Sequence, residues 1–143
     1  MTHKDNWIDA VSMTVDLEDG DMEEIIGQLI ELAKLNGKVS DADILEKDIM
    51  RRERMASTAI DDNIDVPHSL TAGVSDFCVS LGVVGHKKIF MLIAWNESNT
   101  KNLKQMAALL EAVKNAEEKI LAATSGQEIF RVIEAALTEL GVN

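Results

Sequence analysis

The amino-acid sequence predicts an α/β fold: a single layered domain over residues 1–143, with a mixed β-sheet flanked by helices on both faces. Three observations carry this expectation. Strand-like and helix-like patterns alternate along the chain. Residues 89–94 (Ile-Phe-Met-Leu-Ile-Ala) are apolar throughout, as a central strand covered on both sides must be. The 143 residues are 46% hydrophobic, contain one Pro, and show no Gly/Ser-rich linker, internal repeat or low-complexity run.

Residues 13–17 (Met-Thr-Val-Asp-Leu) alternate apolar and polar side chains and predict a short strand. The acidic residues of Glu18-Asp19-Gly20-Asp21 open a helix, where the macrodipole favours them. Met22, Ile25, Ile26, Leu29 and Ala33 supply its apolar face, and Asn36-Gly37 ends it. Ser40-Asp41-Ala42-Asp43 reads as a capping-box start for a second helix to about Met55, with Leu45 and Ile49 inward and Arg52 and Met55 extending that stripe. Residues 57–63 are polar and turn-rich. Residues 64–66 are briefly extended, because Pro67 keeps Val66 out of the helical region. Phe77, Val79, Leu81 and Val83 alternate with small residues as a strand, and Gly85-His86-Lys87 turns the chain into the apolar strand. Leu103, Met106, Ala107, Leu110 and Val113 predict an amphipathic helix, and a short helix follows at about 116–122. Ser125-Gly126-Gln127-Glu128 is a second capping-box pattern, opening a helix striped by Ile129, Val132, Ile133, Ala136, Leu137 and Leu140.

Composition narrows the function. A net charge of −11 disfavours nucleic acid as a partner, since its phosphates would be repelled, and suits a basic protein or plain solubility. No apolar stretch approaches the roughly 20 residues that span a bilayer, so membrane insertion is not expected. The N-terminus has no apolar segment of signal-peptide type. One Cys excludes an internal disulfide, and a reducing cytoplasm is the simplest compartment. Asp61-Asp62-Asn63-Ile64-Asp65 begins like a calcium loop but has Val66 where Gly is needed and Ala72 where Glu is needed. The glycines fit no nucleotide-binding spacing. His3, His68 and His86 are far apart, His3 and His86 read as solvated surface residues, and Cys78 reads as a small core residue. No cofactor and no metal is expected.

His68 stands apart. It follows Pro67 at the end of a short strand, on stiff backbone, and the loop expected after it (Ser69-Leu70-Thr71) would offer N–H groups to an anion. From Pro-His alone, a structural histidine and a functional one both remain open.

The segment containing it carries a resemblance. Arg52, Glu53, Ser57, Thr58, Ile60, Ile64, Val66, Pro67 and His68 resemble the phosphorylation motif of IIA domains of the bacterial phosphoenolpyruvate-dependent sugar phosphotransferase system, of the fructose/mannitol/nitrogen-regulatory (type 2) family. The order of elements around the motif is similar over nearly the whole chain. The resemblance implies a cytoplasmic carrier with a phosphohistidine intermediate, a transferase component where phosphotransfer operates. His68 would accept the phosphoryl group from the carrier HPr and pass it to a IIB domain. Arg52 would balance the phosphate charge, and Asn102 holds the position of the family's second His. Four differences stand out: Ala59, Asp61 and Asn63 replace turn glycines, Asp65 replaces a small residue, Asn102 replaces His, and Trp95 stands where Pro is frequent. Three functions therefore stay open: a phosphocarrier for sugar uptake, a regulatory protein whose phosphorylation state controls a target protein, and an interaction domain without phosphotransfer.

Overall fold

Strand β6 (Lys88–Trp95) is paired along both edges and covered on both faces. In the computed structural model, which describes residues 11–141, it follows β1 (Val11–Thr14), α1 (Met22–Ala33), α2 (Ala42–Met55), β2 (Ala59–Asp61), β3 (Ile64–Asp65), β4 (His68–Leu70) and β5 (Cys78–Val84). After it come a 3₁₀ segment (Glu97–Asn102), α3 (Leu103–Asn115), α4 (Glu117–Ala122) and α5 (Gly126–Glu139). The strands form one mixed sheet in the order β1-β5-β6-β3-β2, with β4 also on β6. β1 is parallel to β5, β5 antiparallel to β6, β3 and β4 both parallel to β6, and β2 antiparallel to β3. The mixed sheet flanked by helices is the fold class that the sequence predicts.

Side-chain alternation along β6 divides the core. Ile89, Met91 and Ile93 join Val79, Leu81 and Val83 of β5 under Leu109, Ala112, Val113, Ile120, Ile129 and Ile133 from α3, α4 and α5. Phe90, Leu92 and Ala94 face the other way, against Ile25, Ile26 and Leu29 of α1 and Leu45 and Ile49 of α2. The buried Ser80 on β5 is satisfied by donating to the Leu29 carbonyl at 2.8 Å.

Local chemistry sets the element ends. Asp21 caps α1 by accepting from Glu24 N, and the Glu24 carboxylate accepts from Asp21 N, both at 2.9 Å. A single 3₁₀ turn, Lys34–Asn36, then carries the chain to Gly37. β5 and β6 are joined through Gly85 and His86, both at positive φ (56° and 58°), a twist that matches the strands. His86 is exposed, yet its Nδ1 bonds the Leu121 carbonyl at 2.8 Å, so this turn is tied to α4. Cys78 is buried, and burial raises its thiol pKa to about 11, consistent with a packing role.

Several expectations are corrected. β1 lies at Val11–Thr14 rather than 13–17, set by parallel pairing with residues 79–82 of β5. Asp41, not Ser40, caps α2, its carboxylate accepting from Asp43 N and Ile44 N. Met55 is 76% exposed and does not continue the α2 stripe. The polar stretch at 57–63 forms the β2–β3 hairpin, where Asp61 Oδ1 accepts from Asn63 N at 2.7 Å and turns the chain. Residues 68–70 are a strand, not a loop. α3 buries Leu109, Ala112 and Val113, one position round from the predicted stripe, leaving Leu103 exposed. At α5, Ser125 accepts from Glu128 N, but the Glu128 carboxylate accepts from Thr124 rather than closing a reciprocal box. His3 lies outside the described residues.

Gly126 begins α5 against β1, and a Cβ there would meet the Met13 carbonyl oxygen at 2.3 Å. Gly126→Ala is therefore expected to destabilise the fold by about 1–3 kcal/mol through forced separation of α5 and β1. Gly27→Ala, in mid-α1 with open space around it, is expected to stabilise by about 0.5–1 kcal/mol. Urea unfolding of both variants checks the opposite signs.

Candidate functional site around His68

The site grows from an interruption in the sheet. β3 and β4 run in one continuous register against β6, with Ile64 opposite Ile89 and His68 opposite Ile93. Ile89 N donates to the Asn63 carbonyl at 2.8 Å, Ile93 N to the Pro67 carbonyl at 3.0 Å, and Thr71 N to the Trp95 carbonyl at 2.8 Å. In this parallel alternation, Pro67 occupies a position whose N–H would also bond β6. Pro has no N–H, so the ladder breaks into two short strands there.

Val66, the intervening residue, turns its polar groups away from β6. Its N–H donates to the Thr58 carbonyl at 3.0 Å. Its carbonyl lies 2.7 Å from His68 Nδ1. A carbonyl only accepts, so Nδ1 carries a ring hydrogen, and in the neutral ring Nε2 keeps its lone pair. The half-buried His68 is thus fixed in one tautomer, as its backbone is fixed by β4.

Thr58 anchors the other end of this chain of bonds. It is buried, and its Oγ1 donates to Glu53 Oε2 at 2.8 Å. Glu53, in the last turns of α2, thereby holds the entry to β2, which holds Val66, which holds the His68 ring.

Arg52 and Asn102 are placed differently. Arg52 Nη1 donates to the Ala56 carbonyl at 3.1 Å, satisfying the C-terminal end of its own helix. Asn102 stands at the start of α3, where its Nδ2 donates to Gln105 Oε1 at 2.7 Å and its buried Oδ1 has no partner among the described residues. Neither forms a hydrogen bond or ion pair with His68 among the described residues. Asp65 is buried opposite Phe90, on the other face of the sheet from His68, and Lys88 Nζ lies 3.2 Å from its Oδ2, so the extra negative charge is paired within the sheet. The same Lys88 Nζ sits 5.3 Å from the Phe90 ring centroid.

Sequence reasoning gave no role to Glu53, Thr58, Val66 or Trp95. The Glu53–Thr58 pair spans a helix end, where no periodicity signals contact. Trp95 stood out only as a departure from a family pattern. In the fold its ring stacks on that of His68, with centroids 6.2 Å apart and planes at 14°. Among the described residues, no group of three or more His, Cys, Asp or Glu side chains is placed to hold a metal ion, and no helix is long and apolar enough to cross a membrane.

Known proteins share this fold. Residues 7–136 match the family described as "Phosphoenolpyruvate-dependent sugar phosphotransferase system, EIIA 2". A PTS system fructose-specific EIIABC component from Bacillus subtilis (strain 168) is 24% identical over 136 residues, covering 85% of this chain and 21% of the relative. The chain thus spans about a fifth of the length of that relative. Among solved structures, IIA mannitol from Escherichia coli superposes with a TM-score of 0.70 at 17% identity, covering 85% of this chain and 95% of the other. The nitrogen regulatory protein IIA-Ntr from Neisseria meningitidis gives 0.70 at 16%, covering 89% and 98%. A complex of enzyme IIAMTL and phosphorylated enzyme IIBMTL from Escherichia coli gives 0.72 at 16%, covering 87% and 94%. At these identities the structural likeness establishes the fold.

Two outcomes follow from the hydrogen bonds around His68. Thr58→Val removes the donor to Glu53 and is expected to cost about 1.5–3 kcal/mol, as for hydrogen bonds to charged groups, with faster amide exchange at Val66 as the local readout. Asp61 has its pKa lowered from 3.8, chiefly by the Asn63 N–H. A depressed carboxyl stabilises the fold above its unfolded pKa, and that contribution is lost as pH falls through the folded value. Asp61→Asn keeps an oxygen acceptor but not this titration. The gap in urea midpoint between wild type and Asp61→Asn should therefore be present at pH 6 and shrink below about pH 3.8.

Proposed function

The chain belongs to the phosphoenolpyruvate-dependent sugar phosphotransferase system EIIA 2 family, and from that membership we propose that it is a cytoplasmic phosphohistidine carrier, with residues 1–143 acting as one domain. His68 takes a phosphoryl group from an HPr-type carrier and passes it to a IIB domain for sugar uptake. The observation that carries this reading is the 2.7 Å contact between His68 Nδ1 and the Val66 carbonyl, which orients Nε2 as the free ring nitrogen.

Arg52 balances the phosphate charge in this reading. It has spent one of five N–H donors on Ala56 and keeps the others for an anion. Asn102 supplies a neutral contact: turning both the Asn102 and Gln105 amides over preserves their 2.7 Å bond and replaces the unpartnered Oδ1 by an N–H donor. Asp65 is paired with Lys88 and lies on the other face of the sheet from His68, which weighs against the reading of an interaction domain without phosphotransfer.

The partner surface is mixed. Met55, Ile60, Leu70 and Leu103 are large apolar residues exposed on the last turn of α2, on β2, on β4 and at the start of α3. The net charge of −11 complements a basic carrier. A IIB partner is supported by the structurally similar mannitol IIA, whose complex with phosphorylated IIB is solved.

Incubation with phosphoenolpyruvate, the first enzyme of the system and HPr should add one phosphate by intact mass, acid-labile and base-stable. His68→Ala should accept none, while His86→Ala should accept one. Label on the His68→Ala protein would overturn the site. HPr affinity, followed by NMR titration, should fall as salt rises, because exposed charge pairs are screened over about 8–10 Å near physiological ionic strength.

A further inference from the structure

The stacked pair of His68 and Trp95 has a chemical consequence for the transfer step. In the β4–β6 register, His68 lies opposite Ile93 and Leu70 opposite Trp95, so His68 and Trp95 are diagonal neighbours on one face of the sheet. The two rings are nearly parallel, 14° apart, with centroids separated by 6.2 Å. Both residues are half-buried, so the site remains accessible to a partner.

We infer that Trp95 is a positioning residue for phosphoryl transfer: its indole face holds the His68 imidazole in plane and stabilises the positive charge that the ring gains when Nε2 is phosphorylated. This rests on reading His68 as the phosphoryl acceptor. In the step itself, the Nε2 lone pair forms a bond to the phosphorus of a donor phosphohistidine. The donor's N–P bond breaks, and its electron pair returns to the donor imidazole. Nδ1 keeps its proton, held by the Val66 carbonyl. The product ring therefore carries a formal positive charge beside a phosphoryl dianion. Trp offers the most electron-rich aromatic face for a cation, and a nearly parallel stack places that face against the charged ring. Val66 and Trp95 divide the work: the carbonyl fixes which nitrogen reacts, and the indole fixes the plane in which it points.

Trp7 and Trp95 are the only tryptophans, so Trp7→Phe makes Trp95 the sole indole reporter. In that background, phosphorylation by phosphoenolpyruvate, the first enzyme and HPr should quench the Trp95 emission in step with the mass gain of one phosphate. With Trp7 retained, Trp95→Leu should accept phosphate about two- to fivefold more slowly, the range expected for a cation–π contact at a partly exposed site. Trp95→Phe, which keeps an aromatic face, should recover most of that rate. Full phosphorylation without any change in Trp95 emission, or equal rates for wild type and Trp95→Leu, would overturn the inference while leaving the carrier reading intact. Absence of phosphorylation in the wild type overturns the carrier reading and this inference together. Should Trp95→Leu fail to fold, the emission change in Trp7→Phe decides the matter alone.

Discussion

The site depends on one covalent fact: Pro67 has no N–H where the parallel ladder along β6 needs one. The register continues across the break, so β3 and β4 behave as one strand with a two-residue interruption. Val66 lies in that interruption with its polar groups turned outward. A buried carbonyl must find a donor, and the side chain of His68, two residues on, provides it at 2.7 Å. The backbone defect and the tautomer of the histidine are thus one feature.

Around this defect the molecule supplies stiffness from both layers. β6 places Ile93 under the site on one face and Leu92 and Ala94 on the other, all of them fully buried. α2 delivers Glu53, which reaches Thr58 and, through its carbonyl, Val66. Lys88 enters from the start of β6 and neutralises Asp65. Asp65 sits opposite Phe90, so its side chain lies on the other face of the sheet from His68. With Lys88 present, the residue that looked most hostile to phosphate in the sequence becomes part of the sheet's internal charge pairing.

Much of this was legible in advance, for identifiable reasons. The apolar run at 89–94 and the stripe through Ile129, Ile133 and Leu137 are strong signals because the run is buried on both faces and the stripe is the buried face of α5. Pro67-His68 and the Arg52-Glu53 pair were visible as a motif. The β2–β3 hairpin was not, since its strands have three and two residues and are built around Asp61, Asp62 and Asn63. β4 was missed because three residues, one of them His, carry no alternation to read. Met55 and Leu103 misled in the same way: each is apolar and correctly spaced for a buried stripe, yet each is more than half exposed. A periodicity argument assigns every apolar residue to the core and has no means of recognising one kept on the surface. Trp95 over His68 and Lys88 beside Asp65 were invisible for a different reason, because cross-strand partners are fixed by register, which no local pattern reveals.

The central claim is that the Val66 carbonyl chooses the reacting nitrogen. Long-range ¹H–¹⁵N NMR of the histidine ring tests it directly, first on the free protein and then on the phosphorylated one. In the free protein the His68 ring should carry its hydrogen at Nδ1, and after transfer phosphorus should be bonded to Nε2. A ring protonated at Nε2 in the free protein, or a phosphoryl group on Nδ1, would contradict it.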